Sequence, residues 1–413
     1  MEPLVDTPAE PGQSIELRVE RTVAGGAGLA REPGGRVVLV DGALPGETVV
    51  ATITRSKPRM ASGQLREVVA PAEGRITAPC PELHAGCGGC DLQHALPTLQ
   101  RQLKVGIVRD ALARVGRLTD VRIAEGEHLP TEDFRTVLRC GVVDGRVALH
   151  RRRSSELHAL GMCMIAHPLV EEIVQHGRFP GAAEVTIRAG ARTGERMVLI
   201  APGSAAAAAQ VPTDVVVVAA DAPQQAADGR APWIHEVVAR RRLRISAGSF
   251  FQARPDGAEA LVRAVTRALD DVDPLIDRIA DLYGGVGLFS ACLGARAAVL
   301  VERSAAAVAD AEVNLSELGA TVVRGKVERW RPEPVDAVVA DPARAGLGRD
   351  GVRVVVATGA RRIALVSCDP ASLARDARSL VDAGYELQGV ELVDLFPHTH
   401  HVEAVSSFVR APR

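Results

Sequence analysis

The residues best suited to chemistry fall at the ends of four short apolar runs in the C-terminal half. Ile363–Val366 reads as a buried parallel strand, short, rich in β-branched side chains and followed by Ser367-Cys368-Asp369-Pro370. Ligands in open α/β sheets sit beyond the carboxyl ends of strands, so Cys368 is placed to act as a nucleophile, and Pro370 stops the strand. The competing reading is a small buried hydrophobe, the commonest fate of a cysteine. Asp277–Leu282 makes another strand, and Asp281-Leu282-Tyr283-Gly284-Gly285-Val286-Gly287 turns it into a helix through Cys292. Ala297–Val301 follows and ends at Glu302, an acid placed to meet two ribose hydroxyls. Ala337–Ala340 ends in Asp341-Pro342-Ala343-Arg344. Four successive strand ends thus carry Tyr283, Glu302, Asp341 and Cys368. The glycine turn lacks the G-x-G-x-x-G spacing that holds a pyrophosphate, which favours S-adenosylmethionine over a dinucleotide.

A second concentration is Cys80-x6-Cys87-Gly88-Gly89-Cys90. Three cysteines this close, separated by glycines, let a loop wrap one metal centre through several thiolates. Cys163, in the apolar Gly161–Ile165 stretch, is a better fourth ligand than Cys140, which reads as a packed strand residue. Spacing leaves iron–sulfur and structural zinc both open. A redox role for Cys87 and Cys90 alone lacks a surrounding βαβ pattern.

The rest of the chain must position these groups. Its 413 residues allow two or three domains, and 47% hydrophobic with 24% charged residues describes an ordinary globular protein. No apolar stretch reaches membrane-spanning length, and Met1–Ser14 lacks the regions of a signal peptide, so the cytoplasm is the expected compartment. Seven cysteines in a reducing compartment argue for metal or catalytic use rather than disulfides. The net charge of −2 excludes a globally basic nucleic-acid binder and leaves only local patches. Such patches are Arg55, Lys57, Arg59 and Arg66, then Arg151-Arg152-Arg153, then Arg240-Arg241-Arg242 with Arg244; each could instead be a solvated face. Runs at Ile15–Val23, Arg36–Val40, Glu47–Ile53 and Gly63–Val69, separated by glycine and proline turns, predict a small closed barrel. Leu96–Leu118 has helical periodicity. The alanine tract Ala201–Gln210 and Asp221–Pro232 read as surface connections. A helix is expected from Asp256, as N-cap, to Leu269.

The first barrel resembles a TRAM domain, through Ala24–Ala30 and Val40–Glu47. The whole chain resembles the RNA uracil-C5 methyltransferases, in the branch with a TRAM domain and a four-cysteine cluster. The matching residues are Cys80, Cys87-Gly-Gly-Cys90 with Asp91–His94, Cys163, Ser249-Phe250-Phe251-Gln252, Asp281–Gly287, Glu302, Asp341–Arg344, Ser367–Pro370 and His401-Val402-Glu403. The resemblance implies a multidomain α/β protein. A flexible tail spans 1–10 and an OB-like TRAM β-barrel 11–70. A central α+β iron–sulfur domain takes 71–94 and 121–245, and a Rossmann-like class I methyltransferase domain takes 95–120 and 246–413. It implies a [4Fe-4S] cluster on Cys80, Cys87, Cys90 and Cys163. Cofactor contacts fall to Gln252, Tyr283, Glu302 and Asp341, with Cys368 as nucleophile and Glu403 as base. The implied partner is RNA, 23S rRNA first and tRNA as the alternative, with no membrane and no obligatory protein partner. An RNA cytosine-C5 methyltransferase would use the same thiol chemistry, but the late His-Val-Glu argues against it. A non-catalytic iron–sulfur scaffold is disfavoured by the joint presence of Cys368 and Glu403. Asp369 stands where the family usually has asparagine, and a charge there would raise the thiol pKa.

Overall fold

The computed structural model describes residues 8–269, 277–294 and 297–411. The chain divides into two compact units. One comprises 1–81, 90–111 and 396–401; the other comprises 82–89, 112–395 and 402–413.

The first unit is built on a closed barrel of β1 (Ser14–Thr22), β2 (Gly28–Arg31), β3 (Val37–Asp41), β4 (Thr48–Lys57) and β5 (Met60–Ala70), in spatial order β1-β2-β3-β5-β4. Alternate residues point inward, so Leu17, Val19, Val38, Val40, Val49, Ala51 and Ile53 form its core. The sequence pattern misses β2, whose glycine-rich lead-in reads as a turn. Gly28 is required there because a Cβ would lie 2.7 Å from the Ala43 carbonyl oxygen and 2.8 Å from Val19. Glu47, fully buried, accepts from the Leu44 amide at 2.7 Å and the Ala72 amide at 3.2 Å, and pairs with Arg75. Those bonds hold its pKa below the usual carboxylate value despite burial. Arg55, Lys57, Arg59 and Arg66 are all exposed on the β4–β5 hairpin.

A single turn, α1 (Pro81–His84), precedes helix α2 (Pro97–Arg114). Proline at the first position starts α2 one residue later than its periodicity suggests. Within the first unit, Gln100 on α2 accepts from the His398 amide at 2.7 Å, and Lys104 donates to the Phe396 carbonyl at 2.8 Å.

The second unit carries β6 (Ile123–Glu125), β7 (Val137–Val143), β8 (Arg146–His150), β9 (Leu157–Ala159), α3 (Pro168–His176), β10 (Glu184–Ala189), β11 (Arg196–Ala201), β12 (Val215–Ala219), β13 (Trp233–Val238) and β14 (Arg241–Ser246). Strands β12-β11-β10-β7-β8-β9 form one sheet, and β13 pairs with β14. The alanine tract is not a plain surface connection. Gly203–Ala208 is a 3₁₀ turn, and Ala205 and Ala206 pack into this sheet's core, since methyl groups fit where larger side chains would not.

The same unit continues with α4 (Pro255–Ala268), β15 (Arg278–Leu282), α5 (Leu288–Cys292), β16 (Ala297–Glu302), α6 (Ala305–Asn314), β17 (Thr321–Arg324), β18 (Ala337–Ala340), α7 (Gly348–Ala357), β19 (Arg362–Ser367), α8 (Pro370–Asp382), β20 (Tyr385–Leu392) and β21 (Ala404–Arg410). The sheet order is β17-β16-β15-β18-β19-β21-β20-β6, a doubly wound arrangement. Asp256 is not the N-cap of α4. Arg254 holds that place, Pro255 begins the helix, and Asp256 lies in the first turn, accepting from the Gly257 amide at 2.8 Å and from Arg254. β19 is parallel only on its β18 side; β21 runs antiparallel on the other.

Candidate active site

Ladder register brings the strand-end residues into line. Leu282 pairs with Val301 and with Ala340, so one further residue sets Tyr283 between Glu302 and Asp341. Ala340 pairs with Leu365, which puts Asp341 level with Val366, two residues before Cys368. On the other side of β19, Ser367 pairs with Ala404 in an antiparallel ladder. The next pair outward is Cys368 and Glu403, and such opposed residues have Cβ atoms about 4.5–5.5 Å apart. Glu403 therefore lies one residue ahead of β21 rather than within the strand, and its own carbonyl accepts from the Val393 amide at 2.8 Å.

The electrostatics are unusual for so small a region. Glu403 is only 5% exposed, and burial together with Asp341 raises its pKa well above the ordinary carboxyl value. Asp341 is pushed up to about 7 by burial and by Asp281. Asp281, with no exposed surface, is pushed up to about 6 by burial, against the opposing effect of hydrogen bonds from the Ser290 amide (2.9 Å) and hydroxyl (2.7 Å). The half-buried Cys368 thiol is pushed up to about 11 by burial, then by Glu403 and Asp341, with Arg344 working in the opposite direction. Asp369 is not among the main causes of that shift. Its carboxylate caps α8, accepting from the Ser372 amide at 2.7 Å, so the expected effect of its charge on the thiol is corrected: a helix N-terminus absorbs it.

The glycine turn leaves open space above its backbone. Gly285 and Gly287 have positive φ, and a Cβ on Gly285 would meet open space. Tyr283 is also left-handed, at φ 61°, a strained state for an aromatic residue, and its hydroxyl donates to Glu328 at 3.0 Å. Glu302 accepts from the Gly285 amide at 3.2 Å and the Ser304 amide at 2.6 Å, which fixes its carboxylate beside the turn. Gln252 is buried on the loop between β14 and α4, while Phe250, two residues earlier, is 73% exposed. The sequence places Phe250 in the Ser249–Gln252 motif without giving it a role of its own; its exposure is visible only in the fold. Arg244, grouped above with a phosphate-binding cluster, is instead bound to Asp310.

The cysteine set is divided. Cys80 and Cys90 belong to the first unit, Cys87 and Cys163 to the second. Within the second unit, Cys87 and Cys163 pack against one core, and the Cys163 thiol is pushed up to about 11, chiefly by burial. The Cys163 amide donates to Glu171 at 2.9 Å. Cys140 is buried in β7, as expected of a packing residue. Among the described residues no group of three or more Cys, His, Asp or Glu side chains is gathered as a metal site. Of the four candidate ligands, neither unit holds more than two, which is fewer than a four-thiolate cluster needs.

The strand order, glycine turn and row of strand-end acids define a Rossmann-like methyltransferase domain behind an N-terminal barrel. Residues 8–65 match the TRAM domain, and 330–410 match the family described as tRNA (Uracil-5-)-methyltransferase. The chain is 38% identical to an uncharacterized RNA methyltransferase of Streptomyces coelicolor, over 98% of this chain and 94% of that one. It is 31% identical to the 23S rRNA (uracil(1939)-C(5))-methyltransferase of Chromohalobacter salexigens, over 95% of this chain and 89% of the relative. In fold it is similar to the Pyrococcus abyssi tRNA (uracil-54, C5)-methyltransferase, with a TM-score of 0.71, 21% identity, and coverage of 95% and 100%. The protein belongs to the RNA uracil-C5 methyltransferase family, with a TRAM domain at its N-terminus. Among the described residues no helix is long and apolar enough to cross a membrane.

Proposed function

We propose that this enzyme methylates C5 of a uridine in 23S rRNA, with S-adenosylmethionine as donor, Cys368 as nucleophile and Glu403 as base. The observation that carries the reading is the cross-strand opposition of Cys368 and Glu403 at the end of the row that holds Tyr283, Glu302 and Asp341. Uracil C5 is too weak a nucleophile to accept a methyl group unaided. The Cys368 thiolate adds to C6, and the electron pair moves toward C5 and O4. When bound, S-adenosylmethionine would supply an electrophilic methyl group to C5, its S–CH3 bond breaking as S-adenosylhomocysteine takes the electron pair and leaves. Glu403 then removes the C5 proton, the C5–H electrons re-form the ring double bond, and the Cys368 sulfur leaves as thiolate.

The concentration of acidic groups at this end of the sheet supports the donor. Burial raises the pKa values of Asp281, Asp341 and Glu403, and a neighbouring acid raises each of them further. A sulfonium relieves that repulsion, and a dinucleotide pyrophosphate would add to it. Gln252, Tyr283, Glu302 and Asp341 are the proposed cofactor contacts. Phe250 offers a bare ring on which an unstacked base can rest. The exposed Arg55, Lys57 and Arg59 on the barrel hairpin suit the RNA backbone. The choice of 23S rRNA follows the relatives that carry that name.

A [4Fe-4S] cluster on Cys80, Cys87, Cys90 and Cys163, in a central domain of residues 71–94 and 121–245, is the second part of the proposal. It is supported by the sequence spacing of Cys80, Cys87 and Cys90 and by the packing of Cys87 and Cys163 against one core. Anaerobically purified protein is expected to be brown, with about four iron and four sulfide per chain; stoichiometric zinc would exclude the cluster. The substrate is tested by mapping 5-methyluridine in ribosomal and transfer RNA from a strain lacking the protein. A loss confined to 23S rRNA is expected, and a loss confined to tRNA would transfer the activity to that substrate.

A further inference from the structure

One face of α6 presents two polar residues that the reaction does not use, Asp310 and Asn314, a helical turn apart. Asp310 has no exposed surface, so its carboxylate must be satisfied from within. Its Oδ1 accepts from Arg244 Nε at 2.7 Å and Ser246 Oγ at 2.6 Å. Its Oδ2 accepts from the Ser246 amide at 2.8 Å and Ser249 Oγ at 2.6 Å. Asn314 accepts from the Arg244 amide at 2.7 Å and donates to the Arg244 carbonyl at 3.1 Å and the Val286 carbonyl at 2.9 Å.

These bonds fasten two loops to one helix. The first runs from the end of β14 through Ser249 to Gln252; the second is the glycine turn, which holds Val286. The helix itself begins three residues after Glu302, behind the Ser304 cap. Three segments on the cofactor side, far apart in sequence, are therefore referenced to one rigid element. Charge-assisted bonds to a dry carboxylate are the strong kind, and a site held this way loses little freedom when its ligand arrives.

We propose that Asp310 and Asn314 are positioning residues that set cofactor affinity by holding the Gln252 loop and the glycine turn in their bound geometry. The inference rests on the assignment of Gln252, Tyr283 and Glu302 to the cofactor. Neither residue touches the ligand; they act through those that do.

Ser249→Ala tests this with little risk to folding, because Asp310 keeps three of its four bonds. In the full chain, titration with S-adenosylhomocysteine and steady-state kinetics are expected to show cofactor affinity weakened by about tenfold. The KM for RNA stays within about twofold, since the loss of one bond worth about 1.4 kcal/mol is confined to the cofactor side. Ser249→Thr, which keeps the hydroxyl, restores affinity, and Asn314→Asp, which loses the donor to the Arg244 and Val286 carbonyls, weakens it at least as much as Ser249→Ala does. Unchanged cofactor affinity in Ser249→Ala and Asn314→Asp, or an equal rise in the KM for RNA, overturns the proposal while leaving the site assignment intact. If the folded wild type binds no S-adenosylhomocysteine, the site assignment fails and this inference falls with it.

Discussion

Two groups of candidate functional side chains in this protein are organised in opposite ways. In the doubly wound sheet, Tyr283, Glu302, Asp341, Cys368 and Glu403 occupy strand ends, and ladder register fixes which of them face each other. In the cysteine region, Cys80, Cys87, Cys90 and Cys163 lie outside regular strands and are divided between two compact units. The first group inherits its geometry from a hydrogen-bonded ladder that must form for the domain to fold at all. The second relies on loops, held by contacts such as the Glu82 carboxylate accepting from the Gly161 amide at 2.9 Å and the Met162 amide at 3.2 Å. A register-built site is set before any ligand binds, whereas a loop-built one depends on what its ligands hold together.

The contrast can be broken at several points. The largest effect is expected at the sheet end: Cys368→Ala should cut turnover by more than about 10⁴-fold, as loss of an essential nucleophile does, measured by methyl incorporation into RNA. Glu403→Gln should cost less, about 10²–10³-fold, the range of a general base, and should leave a protein–RNA adduct stalled on gels. Normal turnover by that variant would remove Glu403 from the mechanism. In the cysteine region, Cys163→Ser is expected to lower bound iron while leaving cofactor binding in place. Equal loss of both would mean that the two groups are not separately organised.

Ionisation sharpens the same comparison. With its thiol pushed up to about 11, Cys368 gains thiolate steadily with pH, so alkylation by iodoacetamide at this site should accelerate from pH 7 to 10. Glu403→Gln removes a repelling charge, and the profile should move to lower pH. The smallest effect concerns stability. Asp281 is pushed up to about 6 from 3.8, so the folded state keeps a proton that the unfolded chain releases as pH rises through that window. Its contribution is present at pH 4 and lost above pH 6. Asp281→Asn should therefore raise the apparent Tm at pH 8 by about 2–4 °C relative to its effect at pH 4, read by differential scanning fluorimetry. A gain of equal size at both pH values would contradict the assigned shift.

The strands of the sheet end were legible in the sequence because each is a short apolar run closed by a turn. The barrel was legible for the same reason except at β2, where glycines that let Gly28 pack against Ala43 look like a loop. Three features were hidden for physical reasons. Asp369 reads as a charge beside a thiol until the helix it caps is known. Asp310 and Asn314 look like a solvated helix face, since spacing of i and i+4 says nothing about what covers it. The buried alanines of 205 and 206 carry too little hydrophobic signal to distinguish core from surface.

The measurement that bears most directly on the account is peptide mapping of the adduct formed with 5-fluorouridine-containing RNA and S-adenosylmethionine. Fluorine at C5 cannot leave as a proton does, so the covalent intermediate persists. Seven cysteines are available, and the prediction is that the nucleotide is found on Cys368 alone and is absent from Cys368→Ala. An adduct on any other cysteine, or one that survives that substitution, would contradict it.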